Sequence, residues 1–189
     1  EEAGRLLLKS DVHIKFTPEE EVFGSKCLRE MGIGASSEFV CFHARESSYL
    51  KKVFPGTDFK YHDFRDSDIR NFFKAVEEMA NRGYFGVRLG KYIEVPISIN
   101  NSRIIDYSTK FRTDFLDIFL LAKCRFLIGS NTGITDVAYL FRKPIVKTNM
   151  TQFFGEIPLA GEKDLFIPKK YWLKEERRNL SFREIFASP

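Results

Sequence analysis

The chain has 189 residues, 43% hydrophobic and 30% charged, which fits one globular domain, or one and a small piece, with room for a sizeable core. Its formal net charge of +4 is too small and too scattered for a nucleic-acid binder; it suits an anionic ligand such as a nucleotide diphosphate, or loose contact with acidic lipid headgroups. Cys27, Cys41 and Cys124 lack metal-site spacing and leave an odd one over, so buried reduced thiols in a reducing, cytoplasmic compartment are expected, and no charge-free run reaches transmembrane length.

The chain opens on Glu1, without a Met and without a signal peptide, and is expected to be a piece of a longer protein. Leu6-Leu7-Leu8 fits either a strand or a helix end. Thr17-Pro18-Glu19-Glu20 predicts a helix start, with Thr17 as N-cap, Pro18 at the first helical position and Glu20 closing a capping box. That helix is expected to reach about Met31, ended by Gly32 and Gly34. Residues 1–37 are set apart as an N-terminal linker and helix region, and 38–189 as the main domain.

Phe39 to His43 reads as the first clear strand, running into Ala44-Arg45-Glu46-Ser47-Ser48. Charge at the end of a buried strand needs a reason. Arg45 either points at a phosphate, as a bidentate and always charged group, or pairs with Glu46 or Asp66. His43 taken alone reads as a hydrogen-bonded core histidine. Lys51 to Asp63 is expected to be a loop turning at Pro55-Gly56. Ser67 or Asp66 would then cap a helix whose apolar face is Ile69, Phe72, Phe73, Val76, Met79 and Ala80, ended by Gly83. Arg65 stands just before it, where the helix dipole disfavours a cation, so either an anion lies nearby or Asp63 or Asp68 pairs with it.

Tyr84 to Leu89 predicts the second strand. Arg88, near its carboxyl end, is either a phosphate or substrate contact or a solvated strand-end arginine. Ile93 to Arg103 reads as a loop. Ile104-Ile105-Asp106-Tyr107 is a short strand, with Asp106 placed to accept from a ribose or sugar hydroxyl or to cap a turn. Thr113 caps a helix with Asp114 and Asp117 in its first turns, apolar nearly all round and therefore buried.

Phe126-Leu127-Ile128 shows no alternation, as in a parallel strand buried on both faces. Gly129-Ser130-Asn131-Thr132-Gly133 breaks the pattern. Ile134, Val137, Ala138 and Phe141 then recur at helical spacing, Pro144 stops the helix, and Ile145-Val146 begins another strand. A strand that passes to a helix through Ser130, Asn131, Thr132 and Gly133 puts free N–H groups and hydroxyls at a helix N-terminus, which suits a phosphate. The same residues can serve simply as caps, and both roles can hold. Leu165 to Ile167 reads as one more strand, followed by a basic run at Lys169-Lys170 and a second capping box at Ser181 and Glu184. The order is α/β and implies a Rossmann-like parallel sheet flanked by helices, with right-handed crossovers. The Walker phosphate loop and the Gly-x-Gly-x-x-Gly fingerprint are absent.

Thr132 to Pro144, Thr-Gly-Ile-Thr-Asp-Val-Ala-Tyr-Leu-Phe-Arg-Lys-Pro, resembles without a gap the Thr-Gly-Pro-Met-His-Leu-Ala-Ala-Ala-Leu-Gly-Lys-Pro segment of bacterial heptosyltransferases. Asp136 stands where that family usually carries His. The chain more broadly resembles bacterial surface-polysaccharide glycosyltransferases, through Cys41–Tyr49, Phe64–Asp68, Arg88–Gly90, Ile104–Tyr107 and Asp114–Ile118. The resemblance implies a single GT-B half-domain that binds a nucleotide-diphosphate sugar for a metal-independent glycosyltransferase, with no cofactor. It implies donor contacts at Arg45, Arg65, Arg88, Ser130, Asn131, Thr132 and Gly133, with His43 and Asp106 as further pocket residues. The general base is expected from a missing N-terminal acceptor domain, leaving Asp136 and Asp114 as local candidates. The acceptor would be a glycan or lipid-linked, met in the cytoplasm or at the inner face of the membrane, and nucleic acid is not an expected partner. A nucleotide-sugar epimerase of the same architecture and a non-catalytic Rossmann-like binding module are the alternatives.

Overall fold

The computed structural model describes residues 9–151 and 161–187, so Leu6-Leu7-Leu8 lies outside the described residues. Helix α1 (Pro18–Glu30) starts as its sequence dictates. Thr17 Oγ1 accepts from Glu20 N, and Glu20 returns the bond to Thr17 N at 2.8 Å. Gly24 lets this helix approach the core, because a Cβ there would meet the Phe119 ring at 2.3 Å.

Six strands form one parallel sheet: β1 (Phe39–His43), β2 (Phe85–Arg88), β3 (Ile104–Ile105), β4 (Leu127–Gly129), β5 (Ile145–Met150) and β6 (Leu165–Pro168). Their order is β3-β2-β1-β4-β5-β6. The chain therefore steps outward from β1 on one side, then returns and steps outward on the other. β1 and β4, at the centre, are almost wholly buried, which is why they carry apolar runs without alternation. Between the strands come α2 (Ser48–Val53), α3 (Phe73–Asn81), α4 (Tyr107–Lys110), α5 (Asp114–Lys123) and α6 (Gly133–Leu140).

Each face of the sheet has its own core. Phe119, Leu120, Leu121 and Tyr107 pack with Met31 and Ile33 on one face. Phe42, Ile128, Phe72, Val76 and Ala80 pack on the other, with Gly86 giving room for Val76. Cys41 and Cys124 are buried thiols; burial, then the neighbouring Cys124, pushes the Cys41 pKa up, so it stays protonated and inert. Cys27 is only half-buried.

Three local expectations change. Lys51 to Asp63 is not a plain loop: α2 covers its start and a 3₁₀ turn spans Lys60–Arg65. The long helix is capped by neither Asp66 nor Ser67. The Asp68 carboxylate accepts from Arg70 N, a 3₁₀ turn at Ile69–Phe72 follows, and α3 begins only at Phe73. Beyond β6 lies an unanticipated hairpin of β7 (Trp172–Leu173) and β8 (Arg178–Asn179), then α7 (Phe182–Ala187) with the predicted Ser181–Glu184 box.

Candidate functional site

The strand order reverses between β1 and β4. In open α/β sheets, ligands bind at such a point, beyond the carboxyl ends of the strands. Here β1 ends in His43-Ala44-Arg45 and β4 in Gly129-Ser130-Asn131-Thr132. The two ends are stitched together: Arg45 N donates to Ser130 Oγ at 2.8 Å and Ser130 N to His43 O at 3.4 Å. A cavity of about 500 Å³ opens there, lined by residues that include His43, Arg45, Arg65, Arg88, Thr132 and Gly133. That size falls in the range of roughly 300–1,000 Å³ usual for small-molecule sites. A larger cleft, about 690 Å³, lies at the amino ends of the strands. Its Lys123, Arg142 and Lys143 stand at the carboxyl ends of α5 and α6, where the helix dipole favours cations, so its charge has a local cause.

The turn before α6 does not simply cap the helix. Thr132 is the N-cap, yet its side chain makes no capping bond, and its Oγ1 is buried without a hydrogen-bond partner among the described residues. Ser130 is the residue that is structural: 1% exposed, with its carbonyl accepting from Thr135 Oγ1 and its hydroxyl accepting from Arg45 N. Asn131 offers its carbonyl to Arg65 Nη2 at 3.2 Å. Arg65 Nε is buried without a partner among the described residues. Among the described residues no carboxylate pairs with Arg65, as sequence alone allowed; Asp68 pairs with Arg70 instead.

The three arginines thus differ. Arg45 is buried, and its Nη1 pairs with Asp66 and reaches His62 O at 3.2 Å. The Asp66 carboxyl is pushed up by burial, with Arg45 opposing. Arg88 is 1% exposed and so not a solvated strand-end arginine; it lines the cavity wall, with Nε unpartnered among the described residues. Its guanidinium meets Glu46 at 2.9 Å, Asp106 at 3.8 Å and the Val95 carbonyl. Asp106 is not among the residues that line the cavity: its Oδ2 accepts from Ile97 N at 3.1 Å and holds the loop after β2.

His43 sits at the end of β1 with Nδ1 3.0 Å from Leu89 O. A carbonyl accepts only, so Nδ1 carries the proton and Nε2 keeps a lone pair. Burial first, then the Arg88 charge, lowers its pKa to about 4. At neutral pH it is an uncharged acceptor on the cavity wall. Asp136 and Asp114 are exposed and outside the cavity; Asp114 pairs with Arg112 and, at 3.6 Å, with Lys91. Neither is brought to the reacting region as a base.

Several wall residues carry no sequence signal as site residues: Tyr49 and Phe59 beyond β1, and Lys91, Tyr92 and Ile93 after β2. All five lie in the segments that follow the carboxyl ends of β1 and β2. Among the described residues, no cluster of three or more His, Cys, Asp or Glu has the makings of a metal site.

No protein-family model and no curated protein matches the chain. Two solved structures share its fold. A glycosyl transferase family 9 from Veillonella parvula DSM 2008 aligns over 85% of this chain with a TM-score of 0.56 and 15% identity. The E. coli ADP-heptose lps heptosyltransferase II aligns over 86% with a TM-score of 0.55 and 14% identity. The chain spans 43% and 46% of their lengths, less than half of each. The sheet is therefore one Rossmann-like half of the GT-B architecture.

Proposed function

We propose that this chain is the donor-binding half of a metal-independent glycosyltransferase, taking a nucleotide-diphosphate sugar in the cavity between β1 and β4. Support comes from Thr132 Oγ1 and Arg65 Nε. Both belong to residues on the cavity wall, both are buried, and neither has a partner among the described residues. A buried donor left unpaired is costly, and a phosphate oxygen would satisfy it. The N-terminus of α6 adds its orphan N–H groups and the positive end of its dipole. During transfer, negative charge grows on the leaving diphosphate, and these fixed donors stabilise it as it forms. His43 Nε2 is an acceptor for a donor hydroxyl. The acceptor glycan, bacterial and destined for the cell surface, would be presented by a second half, which would also supply the general base.

One observation favours the rival reading of a ligand-free assembly module: Arg45 is already taken by Asp66. Thermal unfolding against UDP, GDP, ADP, TDP and CMP, with and without Mg²⁺, decides between them. A ligand at a hundredfold its Kd stabilises by about 2.7 kcal/mol, which raises the midpoint of a domain this size by roughly 5–10 °C. The expected result is a shift with one diphosphate, independent of Mg²⁺ and abolished by Arg65→Ala. A protein that no nucleotide moves, or a shift that survives Arg65→Ala, overturns the proposal.

A further inference from the structure

The segment from Gly90 to Arg103 has no regular structure, yet it is held at four points. Ser48 Oγ donates to Tyr92 O at 2.8 Å, Glu94 N to Glu46 at 2.6 Å, and Ile97 N to Asp106 at 3.1 Å. Arg88 donates to the Val95 carbonyl. Arg88, Glu46 and Asp106 have side-chain exposures of 1%, 13% and 8%, so a buried charge network anchors a surface loop. Gly90, at φ +153°, makes the sharp exit from β2 that such an anchored loop requires.

The network does not touch the turn before α6. What it fixes is the stretch from Glu94 to Ile97 just beyond Tyr92, whose own carbonyl is held by Ser48 Oγ. The Tyr92 ring lies 5.9 Å from Tyr49, tilted by 42°, and both line the cavity. The two are 36% and 46% exposed, so they are not core residues turned outward by accident of packing. Half-exposed rings on a cavity wall, with Lys91 Nζ 6.0 Å from the centre of the Tyr92 ring, offer stacking surface beside a cation, and a purine or pyrimidine joined to phosphate is the flat partner they suit.

The sheet order sets the distance. β2 and β4 flank β1, so the loop after β2 and the turn after β4 stand roughly 10 Å apart, two strand spacings. A base joined through ribose to a diphosphate spans that gap, whereas pyrophosphate alone fills only the end at Thr132 and Gly133. We infer that Tyr49 and Tyr92 are the base-stacking wall of the cavity, beside the stretch that the Glu46–Arg88–Asp106 network holds. This inference rests on the donor-site reading above.

The test compares pyrophosphate with UDP, GDP and ADP by calorimetry on the whole chain. The nucleotide that binds best is expected to bind about tenfold more tightly than pyrophosphate, the scale of one base stacked on an aromatic ring. Tyr49→Ala with Tyr92→Ala removes that margin and leaves pyrophosphate affinity unchanged. Tyr49→Phe with Tyr92→Phe, which keeps both rings, restores it. Should the double alanine variant fail to unfold cooperatively, Tyr92→Ala alone is measured, with a partial loss of the margin expected. A margin that survives loss of the rings overturns the inference. So does equal binding of nucleotide and pyrophosphate by the unaltered chain, an outcome that leaves the phosphate site standing. If neither ligand binds, the donor-site reading fails as well.

Discussion

Two arginines stand along the carboxyl edge of the same sheet, Arg88 at the end of β2 and Arg65 in the turn Lys60–Arg65, and they are used in opposite ways. At the end of β2, Arg88 is sealed between Glu46, Asp106 and a carbonyl, and two of those partners in turn hold a loop. At the turn after β4, Arg65 reaches one carbonyl, and its Nε and the Thr132 hydroxyl, both of residues lining the cavity, have no partner among the described residues. The difference teaches that an arginine at a strand end is not in itself a ligand contact. What separates framework from site is whether its charge is already met by carboxylates of the chain: Glu46 and Asp106 stand against Arg88, whereas none among the described residues pairs with Arg65, and Nε is unpartnered in both. A buried guanidinium whose charge is met by carboxylates holds structure, and one whose charge is unmet is where an anion has something to gain.

The comparison breaks most sharply at Arg88. Arg88→Met keeps the stem and deletes the charge, leaving Glu46 and Asp106 facing each other with no cation between them. Removing one partner of a buried ion pair costs about 3–5 kcal/mol. Urea unfolding is expected to show a loss of that size. A loss near zero would mean that the network at β2 is no tighter than the turn at β4. A ligand contact, by contrast, would lose affinity with little loss of stability.

That distinction was only half legible in the chain. The strands, the Thr17 and Thr113 caps and the polar turn depend on neighbours within a few positions, and local pattern placed them well. The partners of the arginines are remote: Glu46 is 42 positions from Arg88, and Asp66 is 21 from Arg45. Which of several nearby carboxylates closes on which arginine is decided by strand order, which no periodicity reports. For the same reason Asp106 looked like a sugar contact. Its chain position beside a strand end is right, but its side chain turns to Ile97 N and to Arg88. Tyr49 closes a stretch that carries the family resemblance, but neither it nor Tyr92 reads as a site residue, because the two meet only once β1 and β2 lie side by side.

His43 stands between the two regions and sharpens the contrast. Burial and the Arg88 charge lower its pKa from 6.5 to about 4. The unfolded chain therefore binds the proton at higher pH than the folded one. The associated stability is fully present above pH 6.5 and is lost as pH falls through 4, a change of about 3 kcal/mol. His43→Gln carries no such proton. The gap in unfolding free energy between the unaltered chain and this variant is expected to shrink or invert by that amount from pH 7 to pH 4. A gap independent of pH would show that His43 titrates alike in both states, and that the β2 end does not shield it.

Arg45 lies between the two extremes, and Asp66 is the lever on it. Arg45 is buried and Asp66 half-buried, and burial pushes the Asp66 carboxyl up, so this carboxylate is held in charged form less comfortably than an exposed one. A phosphate arriving at Ser130 to Gly133 would compete with it for the same guanidinium. Asp66→Asn keeps the shape and a hydrogen-bond acceptor while deleting the competing charge. If Arg45 belongs with Arg65, pyrophosphate affinity is expected to rise about fivefold, the effect of removing one like charge near the site at on the order of 1 kcal/mol. If Arg45 belongs with Arg88, the same substitution lowers stability and leaves affinity where it was. Calorimetry and urea unfolding on one variant thus assign this arginine to framework or to site.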